Sequence, residues 1–522
     1  MEILNKKKED KTMKKTLFAI SAIAVLLGFT ACTSENEILE PQVSGKTITI
    51  KAYTEENTRT TLSGNDKDGY KVFWSTDDAI KIGESTFTLT DGAETTSGTF
   101  TGDELTDDTE YTAYYPADYD GENWPTAQTY TAGNITGSPM KATFTYTAGG
   151  EEPSLSFKNE GGILRLNLKL KEGDAARSVK KIVVSSTQLA EDIELNCETA
   201  VALSEAGIPF HIAVPAKAYS DLKFTIFDDG AYKCVRTLST GNTLTVERSK
   251  ITPVNLTAKT WEFFGLCFTA AEASTVSINS NGDQLEYSLN DGEWTEWANN
   301  TPISMASADK VYLRLKTDGT WTENYSTFQM SGSLAASGNI MSLVDRTGFS
   351  KEIPLKNCFY KLFKDCSLTS APELPATTLA SGCYYYMFSG CSLTTAPELP
   401  ATTLASECYY CMFYKCLSLT TAPELPATTL ASGCYYSMFS DCSSLATAPV
   451  LRAPILTEYC YDSMFYKCKN IKSVTCLATD ISATNCLYGW LNQAGTTGTI
   501  YVAKGMSGSW AAPSRWKIVE IE

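Results

Sequence analysis

Apolar and polar residues alternate along much of the first half of the chain. Residues 47–53 and 164–170 place an apolar residue at every second position, which is the pattern of a strand that buries one face of its sheet. Asp68 and Asp229, each followed by glycine, interrupt this pattern with dipeptides typical of hairpin turns. No amphipathic helix of useful length is indicated between residues 46 and 260. We therefore predict a run of β-domains in this region.

Residues 261–352 carry shorter strand patterns separated by turns. Residues 285–294 and 310–315 include alternating runs, so we predict a small antiparallel β-domain. Trp294, Trp297 and Trp321 could stack on sugar rings, because indole rings offer large flat faces. Tryptophans that pack in a core or cover a hairpin explain the same residues, and we favour that interpretation.

Residues 353–492 contain a sequence repeat. Cysteines and phenylalanines recur at steps of 25 or 26 residues, with the leading cysteines at positions 358, 383, 408, 434, 460 and 486. A period of this length is typical of a leucine-rich-repeat solenoid, in which each coil stacks on its neighbours. We predict an α/β leucine-rich-repeat solenoid over residues 353–492, closed by a C-terminal cap over residues 493–522.

Within each repeat, apolar residues stand four positions apart. Leu379, Cys383, Met387 and Cys391 form such a series, and we predict that it follows one face of a helix. On a helix, cysteines eight residues apart are separated by about 12 Å, whereas a disulfide needs Cα atoms within about 7 Å. Disulfides inside a repeat are therefore not expected, while a few bridges between adjacent coils stay open.

The recurring cysteines and phenylalanines form the predicted repeat core, because free cysteine packs as a small buried hydrophobe. This core comprises Cys383, Phe388, Cys391, Cys408, Phe413, Cys416, Cys434, Phe439, Cys442, Cys460, Phe465 and Cys468. We favour a mostly reduced ladder over a disulfide ladder, although an export compartment would be oxidising. Cys408 and Cys411 form a C-x-x-C pair that no other repeat contains, so we predict no metal site.

Tyrosines recur beside the core residues and form the candidate binding surface. They are Tyr384, Tyr385, Tyr409, Tyr410, Tyr435, Tyr436 and Tyr461. Rows of amphipathic tyrosine suit the recognition of a protein or a glycan. Packing of tyrosines between neighbouring coils explains the same period, and both interpretations stay open.

The composition restricts the possible chemistry. The 522 residues include a single histidine, His211, and carry a formal net charge of −17. A Ser-His-Asp or Cys-His unit would have to use His211, which lies in an apolar, strand-like run and is interpreted as a packed residue. The acidic balance argues against nucleic-acid binding, which needs a basic face. We predict no enzymatic activity and no cofactor; a glycan-active enzyme, which needs only two carboxylates, is the remote alternative.

The N-terminal segment has the pattern of an exported lipoprotein. A short basic segment precedes an apolar run over residues 16–29, which is too short for a comfortable membrane span and matches the core of a signal peptide. The run ends in Phe-Thr-Ala followed by Cys32, which resembles a bacterial lipobox. We predict a signal peptide over residues 1–31, lipidation of Cys32 and an acidic tether over residues 32–45. An ordinary signal peptide before an incidental cysteine is the alternative.

An ordered set of motifs in residues 46–258 is similar to the fimbrillin-like proteins of Bacteroidetes. The motifs are TRTTL at 58–62, VFWSTDDAI at 72–80, TAYYP at 112–116, PTAQT at 125–129, FKN at 157–159, FHIAVP at 210–215 and TLTV at 243–246. This resemblance implies two tandem β-sandwiches, over residues 46–149 and 150–260, on a lipid-anchored precursor used in pili or as a surface stalk.

Residues 353–522 resemble the BspA-like leucine-rich repeats of bacterial surface proteins, including the closing GTIYV segment at 498–502. Together the two resemblances imply a non-enzymatic surface lipoprotein, held in the outer membrane through Cys32. Its repeats would adhere to a protein or glycan partner on a host or neighbouring cell. The alternative is a tip or accessory subunit of a pilus, with pilus subunits as partners.

Overall fold

The computed structural model describes residues 47–54, 74–130, 132, 138–173, 175–238, 243–258, 260–323, 325–510 and 513–521. The predicted signal peptide, the predicted tether and Cys32 lie outside these residues. Regular structure in the described ranges consists of β-strands and three short 3₁₀ helices, with no α-helix. None of the helices in these ranges is long and apolar enough to cross a membrane.

The first strands close into a barrel. They are β1 (Thr47–Thr54), β2 (Ala79–Ile82), β3 (Ser85–Asp91), β4 (Ser97–Asp103), β5 (Thr109–Tyr115), β6 (Ala127–Thr129), β7 (Met140–Tyr146) and β8 (Ser154–Asn159). All of them except β6 form the barrel, in the order β1-β4-β3-β2-β5-β7-β8. A parallel pair closes it, since Lys51 of β1 lies opposite Ser154 of β8 and Thr54 lies opposite Phe157.

One tryptophan fills the centre of the barrel. The ring of Trp74 meets the rings of Phe100, Tyr115 and Phe157 edge-on, at centroid distances of 5.0, 5.4 and 5.7 Å. Trp74 is fully buried, because alternate residues of the surrounding strands face inward. Since β8 closes this barrel, the unit extends past the predicted boundary at residue 149. It is also a closed barrel where an open sandwich was predicted.

The next strands form a two-sheet sandwich. They are β9 (Gly161–Leu170), β10 (Ser178–Ser185), β11 (Ile193–Ala202), β12 (Ile208–Pro215), β13 (Ala218–Tyr219), β14 (Lys223–Phe227), β15 (Tyr232–Thr237), β16 (Leu244–Thr245), β17 (Ile251–Ala258) and β18 (Glu262–Phe263). One sheet has the order β18-β15-β14-β10-β11-β6, the other the order β12-β9-β17, and β13 pairs with β16. Apolar side chains from both sheets, among them Leu166, Ile182 and Phe224, form one core.

A third β-region follows, with two small antiparallel sheets. Its strands are β19 (Leu266–Ala270), β20 (Ser274–Ile278), β21 (Leu285–Leu289), β22 (Thr295–Glu296), β23 (Ile303–Met305), β24 (Lys310–Leu315), β25 (Phe328–Ser331) and β26 (Leu334–Ser337), with 3₁₀ helices at Gly282–Gln284 and Ile340–Leu343. The larger sheet has the order β22-β21-β24-β19-β26 and the smaller β23-β20-β25. Strand β27 (Leu368–Ser370), which lies in the repeats, pairs in parallel with β26. The larger sheet thus continues across the predicted boundary at residue 352.

A single hydrophobic core runs from the third β-region through the repeats to the C-terminal strands. Phe328 stacks on Phe363 at 5.2 Å, and the indole N–H of Trp321 donates to the backbone carbonyl of Cys358. Residues 261–352 therefore cover the N-terminal end of the repeats. At the other end lies a parallel sheet of β28 (Val450–Leu451), β29 (Ser473–Cys476), β30 (Gly498–Ala503) and β31 (Trp516–Ile521), with a 3₁₀ helix at Ser507–Ser509.

The repeats contain six stacked coils of consecutive turns in place of the predicted helices. Coils one to six span residues 357–366, 382–391, 407–416, 433–442, 459–468 and 485–494. Every fourth residue of a coil has a positive φ, as Gly382 (62°), Tyr386 (54°) and Gly390 (76°) show for coil two. Because left-handed residues at this spacing cannot continue a right-handed helix, the prediction of a helix with an apolar stripe was wrong.

Backbone hydrogen bonds join each coil to the next. In coils one to five, five alternate N–H groups donate to carbonyls of the following coil, as Tyr384 does to Cys408 and Tyr386 to Tyr410. The intervening N–H groups donate three residues back inside the turn, as Tyr385 does to Gly382. Both sets of donors are thereby satisfied without a helix or a regular strand.

Candidate functional site

Phenylalanines of successive coils stack in a buried column. The column contains Phe328, Phe363, Phe388, Phe413, Phe439 and Phe465, with nearly parallel rings at 5.2 to 5.8 Å. The twelve cysteines and phenylalanines of the predicted repeat core are each at most 2% exposed. These residues stabilise the stack by packing and do not form a binding surface.

A second buried column contains the tyrosine that follows the leading cysteine in coils two to five. Phe359, Tyr384, Tyr409, Tyr435 and Tyr461 stack at 5.6 to 5.9 Å, and each of the four tyrosines is at most 2% exposed. Burial raises the pKa of all four phenols well above its usual value. They pack between coils and cannot reach a partner, so they are removed from the candidate binding surface.

The tyrosine two positions after the leading cysteine of the first four coils forms an outer column. Tyr360, Tyr385, Tyr410 and Tyr436 are partly exposed, and Tyr325 of the third β-region, which is 58% exposed, packs on Tyr360 at 4.7 Å. The rings of Tyr385 and Tyr410 lie 4.3 Å apart, and those of Tyr410 and Tyr436 lie 4.5 Å apart, both nearly parallel. These five residues are the outer tyrosine column.

The close stacking of the rings determines which groups of the outer tyrosine column a partner can contact. Neighbouring rings cover each other's faces, which leaves ring edges and hydroxyl groups for contact with a partner. Burial, reinforced by the neighbouring phenols, raises the pKa of Tyr410. A row of hydroxyls can both donate and accept hydrogen bonds. The column therefore suits hydrogen bonding along a partner and not stacking on sugar faces.

Lysines lie beside one ring of the outer tyrosine column and beside two tyrosines outside it. The ammonium group of Lys361 lies 4.7 Å from the ring centroid of Tyr360, and that of Lys415 lies 5.2 Å from the ring centroid of Tyr414. Such cation–π contacts hold positive charges beside partly exposed rings. In coil five, the ammonium group of Lys467 lies 4.9 Å from the ring centroid of Tyr466.

Two residues of this surface, Tyr360 and Tyr325, were not predicted from the sequence. Tyr360 stands at the same repeat position as Tyr385, so extending the alignment into coil one would have found it. Tyr325 lies outside the repeats, and no local pattern marks it as a neighbour of coil one.

The cysteines form buried columns of free thiols. Sixteen cysteines of the described residues are free, and all are buried. The sulfurs of Cys391, Cys416, Cys442 and Cys468 lie 3.0 to 3.1 Å from carbonyl oxygens of the preceding coil. Burial raises the pKa of Cys416 and Cys468 to about 12. Burial therefore disfavours the thiolate, which is the reactive form of cysteine.

The predicted histidine and metal candidates lie in the core. His211 is buried in β12, opposite Arg165 of β9. Cys408 and Cys411 are buried in coil three, where Cys411 occupies a left-handed position at φ 50°. Among the described residues, no group of three or more His, Cys, Asp or Glu side chains could hold a metal ion.

The three tryptophans considered for sugar stacking have structural contacts. Trp297 and Trp321 are 3% and 4% exposed, and their indole N–H groups donate to backbone carbonyls. Trp294 lies between the guanidinium of Arg314, at 3.7 Å, and the ring of Phe263, at 5.4 Å. These contacts agree with the packing role that we favoured.

A partly buried ion-pair cluster in the third β-region also contacts the sandwich through one hydrogen bond. Arg314 pairs with Glu286 at 2.6 Å and donates to the backbone carbonyl of Gly230. Arg346 pairs with the same Glu286 oxygen. Removing one partner of such a buried pair leaves an uncompensated charge, which is strongly destabilising. This cluster is therefore a structural joint.

No family model matches the chain, and no curated protein matches it. Similar solved structures include a proposed cell adhesion protein from Bacteroides ovatus, with 15% identity and a TM-score of 0.27, over 42% of this chain and 96% of that one. A fimbrial protein from the same species has 12% identity and a TM-score of 0.22, over 48% and 54%. A leucine-rich repeat protein from Bacteroides thetaiotaomicron has 18% identity and a TM-score of 0.16, over 41% and 26%. Similarities this weak do not decide the fold or function of this chain.

Proposed function

We propose that the chain is a non-enzymatic cell-surface lipoprotein whose repeat stack binds a protein or glycan partner on a host or neighbouring cell. The outer tyrosine column carries this proposal. It presents the same partly exposed group from successive coils, with Lys361 beside it. Because each coil repeats the surface of the last, the column suits an extended partner with its own repeat.

In this proposal the barrel and the sandwich serve as a stalk. The predicted lipidation of Cys32 would supply the two or more acyl chains that stable membrane anchoring requires. The hydrogen bond from Arg314 to the backbone carbonyl of Gly230 links the third β-region to the sandwich, and the third β-region in turn shares its core with the repeats. The binding surface would thus be held at a defined place on the stalk.

The test compares two sets of matched substitutions in the whole chain, expressed without the predicted signal peptide. The outer variant carries Tyr385→Phe, Tyr410→Phe and Tyr436→Phe, which keep the stacked rings and remove the hydroxyls. The inner variant carries Tyr384→Phe, Tyr409→Phe and Tyr435→Phe, which make the same chemical change in the buried column. Binding is measured on immobilised matrix proteins, glycans and cells.

The unchanged protein should bind at least one of these surfaces. The outer variant should bind about tenfold more weakly, the equivalent of about 1.4 kcal/mol, while the inner variant binds as the unchanged protein does. Equal binding by both variants would remove the outer tyrosine column from the interface. Absence of binding by the unchanged protein on every surface would overturn the adhesion role.

A pilus tip or accessory subunit is the second candidate, supported by the resemblance of residues 46–258 to fimbrillin-like proteins. Mass spectrometry of purified surface fibres would detect the chain if it is incorporated. Its absence from fibres of a strain that displays it on the cell surface would exclude this role.

The absence of enzymatic activity is part of the proposal and has its own test. Incubation of the purified chain with a panel of polysaccharides should release no reducing sugar. Turnover of any member of the panel would show a glycan-active enzyme instead.

A further inference from the structure

The sixth coil ends the ladder of hydrogen bonds. In each of the five preceding coils, five backbone N–H groups donate to the next coil. The equivalent groups of coil six belong to Asn485, Leu487, Gly489, Leu491 and Gln493. No coil follows, and these five N–H groups have no hydrogen-bond partner in the described part of the chain. A row of backbone donors without partners therefore lies at this end of the stack in the described part of the chain.

A cavity of about 580 Å³ lies at this end. Coil six forms one wall, and residues from the segment between β30 and β31 form the opposite wall. Strand β31 continues the parallel sheet, and the indole N–H of Trp516 donates to the carbonyl of Gly495. These contacts hold the closing segment against the sheet while leaving the coil-six donors uncovered.

The lining combines aromatic rings with unused donors. Trp490 and Trp510 meet at 5.6 Å with an angle of 50°, and Tyr488 stands at the rim with 69% of its surface exposed. Trp510 is 8% exposed, and its indole N–H has no hydrogen-bond partner. The amide side chains of Asn485 and Asn492 also line the cavity.

We propose that this end pocket binds a neutral sugar residue of a glycan. The lining contains no charged side chain, which favours an uncharged ligand. The backbone donors of coil six match the oxygen atoms of a sugar, and the amide groups of Asn485 and Asn492 can both donate and accept hydrogen bonds. Tyr488 offers an exposed ring face, unlike the outer tyrosine column. A concave pocket with apolar walls and a few polar groups is typical of a small-ligand site.

The proposal deepens the adhesion role and rests on it for its biological meaning, but sugar binding is measured separately. The probe is a panel of neutral methyl glycosides, added to the whole chain without its predicted signal peptide. The readout is the set of indole N–H resonances of the nine tryptophans. Trp510→Phe keeps a ring, removes the indole donor and identifies the Trp510 resonance by its loss.

At least one glycoside should shift the Trp510 resonance in a saturable way. Tyr488→Ala, at an exposed position, should weaken this binding about tenfold, which corresponds to about 1.4 kcal/mol. Tyr53→Ala, which removes an exposed tyrosine from the barrel, should leave it unchanged. A Trp510 resonance that no glycoside shifts, or one that shifts equally in Tyr488→Ala, would overturn the proposal. A shift caused only by a polypeptide would also overturn it.

Surface binding by Tyr488→Ala separates this proposal from the adhesion role. If the variant loses sugar binding but still adheres to the surfaces used above, adhesion stands and does not use the pocket. If glycosides bind but the unchanged protein adheres to none of the surfaces, the result supports the sugar pocket and overturns the adhesion role.

Discussion

The barrel and the repeat stack fill their cores in opposite ways. In the barrel, different strands contribute different residues around one central ring, that of Trp74. In the stack, coils one to five each contribute a phenylalanine to one column that runs along the stack. Successive coils therefore make equivalent core contacts, whereas each strand of the barrel makes different ones. A core of repeated contacts can be extended, but it must be covered at its ends.

The core of the stack also differs in chemistry from the core of the sandwich. The sandwich that follows the barrel buries mainly aliphatic and phenylalanine side chains. The stack buries a thiol or a phenol at several positions of each coil. Such groups are apolar enough to pack when protonated, but they cannot ionise without leaving the core.

The largest expected effect follows from the covered end of the stack. A fragment of residues 353–522 loses Phe328, Trp321 and the pairing of β26 with β27, and it exposes Phe359 and Phe363. Each buried aromatic contributes about 1.5–3 kcal/mol, so the combined loss approaches the whole stability of a domain. We expect this fragment not to fold, whereas residues 261–522 should fold.

Circular dichroism and thermal unfolding of the two fragments test this expectation. A cooperative transition of residues 353–522 at the temperature seen for residues 261–522 would show that the third β-region is not needed to cover the stack.

The second expected effect is that the stack and the sandwich lose stability at different pH values. The folded pKa of Cys416 and Cys468 is raised to about 12 from an ordinary 9.0, and the other core thiols are raised in the same direction. Stability from these groups is complete below about pH 9 and is lost as the pH rises towards the folded pKa. Each thiol that ionises only in the unfolded chain costs about 1.4 kcal/mol per pH unit. The stack should therefore unfold in alkali before the sandwich does.

Pulsed alkylation with mass spectrometry at rising pH follows each cysteine. The stack cysteines should become modified together, and before Cys197, whose pKa in the sandwich is raised to about 11. Thiols counted in guanidinium chloride beforehand confirm that the cysteines are reduced. Modification of Cys197 first, or of the stack cysteines one by one, would contradict the expectation.

The smallest effect concerns a single left-handed position. Gly433 begins coil four at φ 62°, and an added Cβ would lie 3.4 Å from Glu407 Cγ, without a clash. Gly433→Ala should therefore cost about 1 kcal/mol of unfolding free energy for backbone conformation alone. Gly508→Ala, at a position with no positive φ and open space, should cost much less. Denaturant unfolding compares the two, and equal costs would argue against the turn geometry.

The alternation of period two predicted the strands well, because only an extended chain places alternate residues on one face. It did not predict how the strands close, since β8 joins β1 through contacts between residues about a hundred positions apart. The boundary at residue 149 was misplaced for this reason.

Apolar residues at every fourth position are compatible with two structures, and the apolar residues alone do not distinguish them. A helix and a series of four-residue turns both place Cys383, Met387 and Cys391 on one side. The residues just before Cys383 and Cys391 distinguish the two structures, because Gly382 and Gly390 stand there at two of the left-handed positions. The end pocket was beyond local patterns, because it arises where the next coil is missing.

The parallel closure of the barrel has a mechanical consequence. Strand β1 enters the barrel at one end of the pair and β8 leaves it at the other, with four paired positions between Lys51 and Thr54. A pulling force on the chain before β1 and after β8 would act along these strands. Their hydrogen bonds would then have to break together in shear, and not one after another as in a zipper. A protein held at one end and attached to a partner at the other would gain resistance to flow from this arrangement.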